Sequence, residues 1–143
     1  MAEAAVRTFF YGSFMNRTVL ARQGVAPGEM EVARLPGFEI RMQPLSNVVP
    51  DDRSCVYGIL ARVTHRELDR LYRHLPGAVG GTYLPDAVLV QTRAGAWQPA
   101  LCYIAPPLEP APAATDYLDS VLVAAREYAF PDWYLHQLAR ART

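Results

Sequence analysis

The order of strand-like and helix-like segments constrains the fold of this chain more than any other feature of its sequence. Short apolar and aromatic runs bounded by glycine or proline fill the first two-thirds, and Val6–Tyr11 and Cys55–Ala61 are typical of buried strands. Helical periodicity is concentrated near the C-terminus, in residues 115–125 and 132–138. Because these helices follow the strands and do not alternate with them, the sequence predicts an α+β fold.

The other strand-like segments are interrupted by turn residues. Residues 29–42 predict two strands separated by a bend at a Pro-Gly pair, and residues 82–91 and 97–105 predict a strand pair joined by a short turn. Residues 44–53 contain two prolines and two aspartates, which predicts a surface loop.

Thr64 marks the start of the clearest helix. Thr64 and Glu67 have the spacing of a capping box, in which each side chain bonds an otherwise unpaired backbone amide. One apolar face follows at helical spacing: Leu68, Leu71, Tyr72 and Leu75. Elsewhere, Asn16 is expected to cap a short helix, and Thr115 and Asp116 are expected to cap a longer one near the C-terminus.

Length and composition are those of a globular chain. With 51% hydrophobic and 20% charged residues, residues 1–143 fit one domain that can bury roughly two-thirds of its unfolded surface. The net charge is zero and the arginines are dispersed, which argues against a nucleic-acid partner. No apolar run approaches the ~20 residues of a membrane span, and the N-terminus lacks the pattern of a signal peptide, so we expect a cytoplasmic protein. The oligomeric state is left open.

The residue types exclude or disfavour several kinds of chemistry. All fourteen basic residues are arginine, which excludes a lysine Schiff base and a lysine general base. Cys55 and Cys102 lie far apart in apolar runs, which favours inert buried thiols over a metal site or a redox pair. The three histidines, His65, His74 and His136, lack the spacing of a helical zinc motif. We therefore expect no metal and no cofactor.

An ordered series of motifs runs through nearly the whole chain: the strand ending in Tyr11-Gly12-Ser13, the Leu35-Pro36-Gly37-Phe38 bend, Val56-Tyr57-Gly58-Ile59, the Leu-x-x-Leu helix, Tyr83, Tyr117 and Pro131-Asp132-Trp133-Tyr134. By this series the chain resembles the γ-glutamyl cyclotransferase-like family. The resemblance implies a small, mostly antiparallel β-barrel flanked by helices, with a cavity at one barrel end. It also implies a small-molecule substrate or ligand that carries a carboxylate.

The resemblance also assigns binding residues. In the family, the backbone amides of the Tyr-Gly-Ser turn hold the carboxylate of a γ-glutamyl group. Carried over by position, Tyr11, Gly12, Ser13 and Phe14 would line the carboxylate end of the cavity, and Tyr83 matches the aromatic residue after the catalytic segment. Glycine suits such a turn because nothing beyond Cα separates a ligand from the main chain, and unpaired N–H groups there form an anion-binding nest.

The chain departs from the family pattern at the catalytic glutamate. In the family reaction the α-amino group of the γ-glutamyl unit attacks its own γ-carbonyl, which closes the lactam 5-oxoproline and expels an amine. A carboxylate must first accept a proton from the α-ammonium group. Matching the family motif on Leu68-Asp69 puts Tyr72 at the glutamate position, and matching the two helical leucines puts Leu75 there. Neither residue is an acid.

Three residues near that position are candidates for a catalytic role: His74, Glu67 and Tyr72. Imidazole titrates near neutrality, so His74 is the better substitute for the missing base. Glu67 is expected to serve mainly as the partner in the capping box. Asp69 lies off the apolar stripe and is expected to be solvated.

The sequence leaves open whether this chain is an enzyme. The retained turn and aromatic lining favour an enzyme of the cyclotransferase-like class, a transferase or lyase, acting on a small amino-acid-like or γ-glutamyl metabolite with a replaced general base. The absent glutamate supports the alternative, a catalytically inactive descendant that binds a ligand or a protein. The fold alone cannot choose between the two.

Overall fold

The computed structural model of the chain describes residues 4–42, 45–73, 83–106 and 112–140. The described residues form five strands: β1 Ala5–Phe10, β2 Glu31–Arg41, β3 Asn47–Thr64, β4 Leu84–Thr92 and β5 Trp97–Ile104. Within the same ranges lie four α-helices: α1 Arg17–Arg22, α2 His65–Tyr72, α3 Thr115–Glu127 and α4 Asp132–Ala139. A 3-10 helix, Gly12–Met15, directly follows Tyr11 at the end of β1.

The strands close into a barrel in the order β1-β3-β2-β4-β5. All neighbouring strands within that order are antiparallel; for example, Phe10 lies opposite Ile59 in the β1–β3 pair. The closing contact between β1 and β5 is parallel, with Thr8 opposite Leu101. The predicted α+β fold with a small, mostly antiparallel barrel flanked by helices is therefore confirmed.

The core is formed by side chains from the strands and from all four described α-helices. Its largest fully buried members come from both kinds of element: Phe9, Phe10, Leu35, Ile59, Leu68, Tyr134 and Leu138. The apolar face of α2 is among them, because Leu68, Leu71 and Tyr72 are all buried. None of the helices in the described ranges is long and apolar enough to cross a membrane.

The surface loop predicted for residues 44–53 is wrong from residue 47 onward. Residues 47–50 form the first part of β3 and pair with residues 38–41 of β2. Among the described residues this part of β3 has β2 as its only strand partner, whereas β1 pairs further along, at Ile59–Thr64. An edge position tolerates proline because no neighbouring strand requires its missing N–H group, so Pro50 is compatible with a strand here.

The bend predicted within residues 29–42 is an irregularity inside one strand. β2 runs continuously from Glu31 to Arg41, and its register against β3 shifts between Pro36 and Phe38. Gly37, at the shift, has a φ of 85°, a backbone conformation that side chains disfavour. A glycine bulge of this kind bends a strand without ending it.

The capping box of α2 is confirmed. The Thr64 hydroxyl oxygen accepts a hydrogen bond from the Glu67 N–H at 3.1 Å, and Glu67 Oε1 accepts one from the Thr64 N–H at 2.9 Å. The side-chain cap predicted for the helix at Thr115 and Asp116 is wrong, because its N-cap is Ala114 and no side chain bonds the helix end.

These two helix starts give a matched test of the capping box. We expect Thr64→Ala to lower the free energy of unfolding by about 1 kcal/mol, because it leaves a helix N–H without its side-chain acceptor. Thr115→Ala, at an exposed residue that makes no cap, should change it by less than about 0.5 kcal/mol. Chemical denaturation followed by circular dichroism measures both values. Equal losses for the two variants would contradict a stabilising role for the capping box.

Candidate functional site

The turn after β1 is held against the C-terminal helices. The Asn16 side chain accepts hydrogen bonds from the Thr18 and Val19 N–H groups, which caps α1 as predicted. Its amide nitrogen donates to the Ser120 carbonyl oxygen of α3 at 2.9 Å. The Tyr128 hydroxyl donates to the carbonyl oxygen of Met15, also at 2.9 Å. These bonds fix the 3-10 helix, and with it the Tyr-Gly-Ser turn, relative to α3.

A small pocket, partly open to solvent, lies beside this turn; we call it the tyrosine pocket. It is lined by Tyr11, Ser13, Phe14, Leu45, Ser46, Tyr72, Tyr83 and Tyr117. Its volume is about 30 Å³. A buried water needs roughly 10–15 Å³, so this space suits a group of the size of a carboxylate. The described residues that line it are aromatic, apolar or hydroxyl-bearing, and none of them carries a formal charge at neutral pH.

Three of the four tyrosine hydroxyls in the pocket are bonded within the protein. The Tyr11 hydroxyl donates to the Tyr103 carbonyl oxygen at 2.7 Å, and the Tyr83 hydroxyl donates to the Ser46 carbonyl oxygen at 2.6 Å. The Tyr117 hydroxyl donates to Ser46 Oγ and accepts from the Ser46 N–H, both at 2.7 Å. Ser46 is therefore hydrogen-bonded to both Tyr83 and Tyr117.

Tyr72 is the exception among the four. Its ring stacks on that of Tyr103 with centroids 4.0 Å apart, and it meets the Phe14 ring edge-on at 5.2 Å. The residue is buried, at 9% exposure. Its hydroxyl has no hydrogen-bond partner among the residues that the structure describes. The aromatic contacts hold the ring in place, and none of the described residues occupies the hydroxyl.

The pocket keeps its phenols protonated. Burial, followed by repulsion from Cys102 and neighbouring tyrosines, holds the pKa values of Tyr11 and Tyr72 well above the ordinary value of 10.0. Burial also raises the pKa of Tyr117, although hydrogen bonds from Ser46 and Ser13 partly oppose the shift. At neutral pH these groups are therefore hydrogen-bonding phenols and not proton-accepting phenolates.

Most of the binding residues expected from the sequence meet in this pocket: Tyr11, Ser13, Phe14 and Tyr83. Gly12 does not line it, because Ser46 packs against its Cα; a Cβ at Gly12 would lie 1.9 Å from Ser46 Oγ. Of the two motif registers, one puts Tyr72 at the glutamate position, and that residue lines the pocket. Leu75, from the other register, lies outside the described residues.

The other catalytic candidates do not line the pocket in the described part of the chain. Glu67 bonds the Thr64 N–H in the capping box. Asp69 is exposed and forms an ion pair with Arg73 on the same helix. His74 lies outside the described residues. The sequence between Arg73 and Tyr83 contains no aspartate or glutamate, so that segment cannot supply the missing carboxylate.

Sequence reasoning missed three residues of this site: Leu45, Ser46 and Tyr117. Ser46 fell in the segment predicted to be a loop, and nothing in its neighbourhood signalled a contact with Tyr117, 71 positions away. Tyr117 belongs to the motif series, which was the available signal, but the resemblance gave it no role. Among the described residues no group of three or more histidine, cysteine, aspartate or glutamate side chains could hold a metal ion.

Comparison with known proteins gives a family match and a set of similar folds. The chain matches the family described as "Gamma-glutamyl cyclotransferase, AIG2-like" over residues 8–127. An uncharacterized protein from Homo sapiens has a similar structure, with a TM-score of 0.79, 20% identity and coverage of 96% of this chain and 88% of that one. A structure described as a gamma-glutamyl cyclotransferase gives a TM-score of 0.76 and 21% identity over 94% and 86% of the two chains.

A further similar structure is that of YkqA from Bacillus subtilis, with a TM-score of 0.79 and 22% identity. The match covers 96% of this chain but only 54% of YkqA. At these identities the likeness shows a shared fold. No curated protein matches this chain.

Proposed function

The chain belongs to the gamma-glutamyl cyclotransferase, AIG2-like family, and from that premise we propose that its tyrosine pocket binds the carboxylate of a small amino-acid-like metabolite without cyclising γ-glutamyl substrates at an appreciable rate. The protein would then be a ligand-binding descendant of the family. The observation that carries the proposal is the chemistry of the pocket lining, in which Tyr72 stands and no carboxylate is present among the described residues.

Cyclisation requires a proton acceptor that this lining does not offer. The α-ammonium group of a γ-glutamyl unit must lose a proton before its nitrogen can attack the γ-carbonyl. Tyr72 cannot accept that proton at neutral pH, because burial holds its pKa well above 10.0 and the phenol is already protonated. Glu67 and Asp69 are bonded elsewhere on α2.

Binding of a carboxylate is supported by the donors on one side of the pocket. The Ser46 N–H donates to the Tyr117 hydroxyl oxygen at 2.7 Å, and the Ser13 and Ser46 side chains both line the pocket beside Tyr117. Donor groups of Ser13, Ser46 and Tyr117 therefore lie on one side of the pocket, and an oxyanion requires such donors. We propose that a carboxylate oxygen of the ligand takes hydrogen bonds from this group, with Tyr117 turning its O–H toward the ligand.

A paired measurement on the purified chain tests this proposal. Incubation with γ-glutamyl-alanine should release little or no 5-oxoproline, because loss of a general base typically lowers a rate by on the order of 10²–10⁴-fold. Acetate should bind, and crystals grown with it should show the anion beside Ser13 and Ser46. Robust release of 5-oxoproline would overturn the proposal in favour of an active enzyme. Failure of acetate to occupy the pocket would overturn the assigned binding site.

A further inference from the structure

We infer that the tyrosine pocket selects small carboxylates bearing a neutral oxygen next to the carboxylate, such as 2-hydroxy acids, over the matching amino acids, and that the Tyr72 hydroxyl makes this choice. The inference rests on the proposed function, because it concerns the same pocket. It differs from the family reaction, whose substrates carry an ammonium group at that place.

The hydroxyls of the pocket offer a defined set of donors and acceptors. Tyr11 and Tyr83 use their protons on backbone carbonyl oxygens, so toward the pocket they present only lone pairs. Tyr72 makes no hydrogen bond among the described residues and keeps its proton, so it presents both a donor and an acceptor. The Tyr72 and Tyr83 rings lie 5.9 Å apart between their centroids, and both residues line the pocket together with Tyr117.

A ligand hydroxyl matches this set better than an ammonium group does. A hydroxyl can accept a hydrogen bond from Tyr72 while it donates its own proton to the oxygen of Tyr11 or Tyr83. An ammonium group has no lone pair and can only donate. The Tyr72 proton would then lack an acceptor in a largely desolvated site, which is unfavourable.

The lack of charged side chains among the described lining residues also favours a hydroxyl over an ammonium group. Transferring an ammonium group into the pocket removes it from water, and an uncompensated buried charge is costly. No acid lines the pocket among the described residues, and the nearby Asp69 is exposed and already paired with Arg73. A neutral hydroxyl avoids this cost.

Glycolate and glycine are the sharpest probes, because they differ only by a hydroxyl in place of an ammonium group and fit a small pocket. The purified chain with ¹³C-labelled tyrosine rings would be titrated with each, and with acetate as the acid that lacks a second polar group. We expect glycolate to bind at least about tenfold more tightly than glycine, given the cost of an unpaired buried charge. It should bind about three- to tenfold more tightly than acetate, the effect of one hydrogen bond.

Two tyrosine variants separate the role of Tyr72 from a general effect of losing a phenol. Tyr72→Phe should lower the affinity for glycolate to that for acetate. The affinity for acetate itself should change little. Tyr57 is a half-buried tyrosine that does not line the pocket. Tyr57→Phe should therefore preserve the full difference in affinity between glycolate and acetate. Circular dichroism would establish that both variants are folded before the titrations are compared.

The possible results lead to different conclusions. Glycine binding as tightly as glycolate would overturn the inference, since the aromatic rings would then hold the ammonium group by cation–π contact. The proposed binding of a carboxylate would be unaffected by that result. A preference for glycolate that survives in Tyr72→Phe would overturn the role of Tyr72. Absence of binding by all three acids would overturn both this inference and the proposed function.

Discussion

Replacing Tyr72 by glutamate is expected to raise the rate of 5-oxoproline release from γ-glutamyl-alanine by on the order of 10²-fold or more over the unmodified protein. The substitution puts a proton acceptor at the position that one register of the family motif gives to glutamate, in a residue that lines the pocket. The fold, the Tyr-Gly-Ser turn and the aromatic lining are already in place. Under the proposed function, the missing element is the base itself.

The measurement is the release of 5-oxoproline by purified variants under identical conditions. Tyr72→Gln is the matched control, because glutamine has nearly the shape of glutamate but cannot accept the proton, and it should show no gain. Leu75→Glu tests the other motif register. A gain in Leu75→Glu and none in Tyr72→Glu would show that our alignment of the motif is wrong. No gain in either would mean that the pocket does not bind a γ-glutamyl unit productively.

Stability must be followed in the same experiment, because Tyr72 also packs. Its ring lies between those of Tyr103 and Phe14, and a shorter side chain leaves part of that space empty. Replacing a large buried side chain typically costs about 2–5 kcal/mol. Tyr72→Gln incurs a similar packing loss, so comparing it with Tyr72→Glu separates the effect on chemistry from the effect on folding.

The features that could be predicted from the sequence are those set by neighbouring residues. The capping box depends on Thr64 and Glu67, three positions apart, and the Asn16 cap depends on the amides that directly follow it. Such signals lie within one turn of chain, and they give the start of α2 and of α1 correctly. The barrel could be predicted only from the longer series of motifs, because no single segment indicates the order of the strands.

The features that could not be predicted depend on contacts between distant segments. The first part of β3 pairs with β2 although its composition is that of a loop, because its edge position tolerates Pro50. Ser46 bonds Tyr117 and Tyr83, 71 and 37 positions away, and no local pattern indicates either contact. The same holds for the Tyr72–Tyr103 stack, which joins two residues 31 positions apart.

The contact between Gly12 and Ser46 leads to the second large effect: Gly12→Ala is expected to lower the free energy of unfolding by about 3 kcal/mol. Gly12 has a φ of 64°, and a left-handed conformation costs a residue with a side chain roughly 1–2 kcal/mol. The added Cβ would also lie 1.9 Å from Ser46 Oγ and 2.5 Å from Ser46 Cβ. Relieving such an overlap typically costs a further 1–3 kcal/mol or so.

Gly37→Ala separates these two contributions. Gly37 has a φ of 85°, and a Cβ there would meet nothing within 4 Å, so its replacement should cost only the conformational part, about 1–2 kcal/mol. In a Ser46→Gly background the crowding at residue 12 is removed, and Gly12→Ala should then cost no more than Gly37→Ala does in the original protein. Urea denaturation of the four variants measures this coupling. If Gly12→Ala costs the same with and without the Ser46 side chain, that side chain does not pack against the turn, and the pocket wall assigned to Ser46 must lie elsewhere.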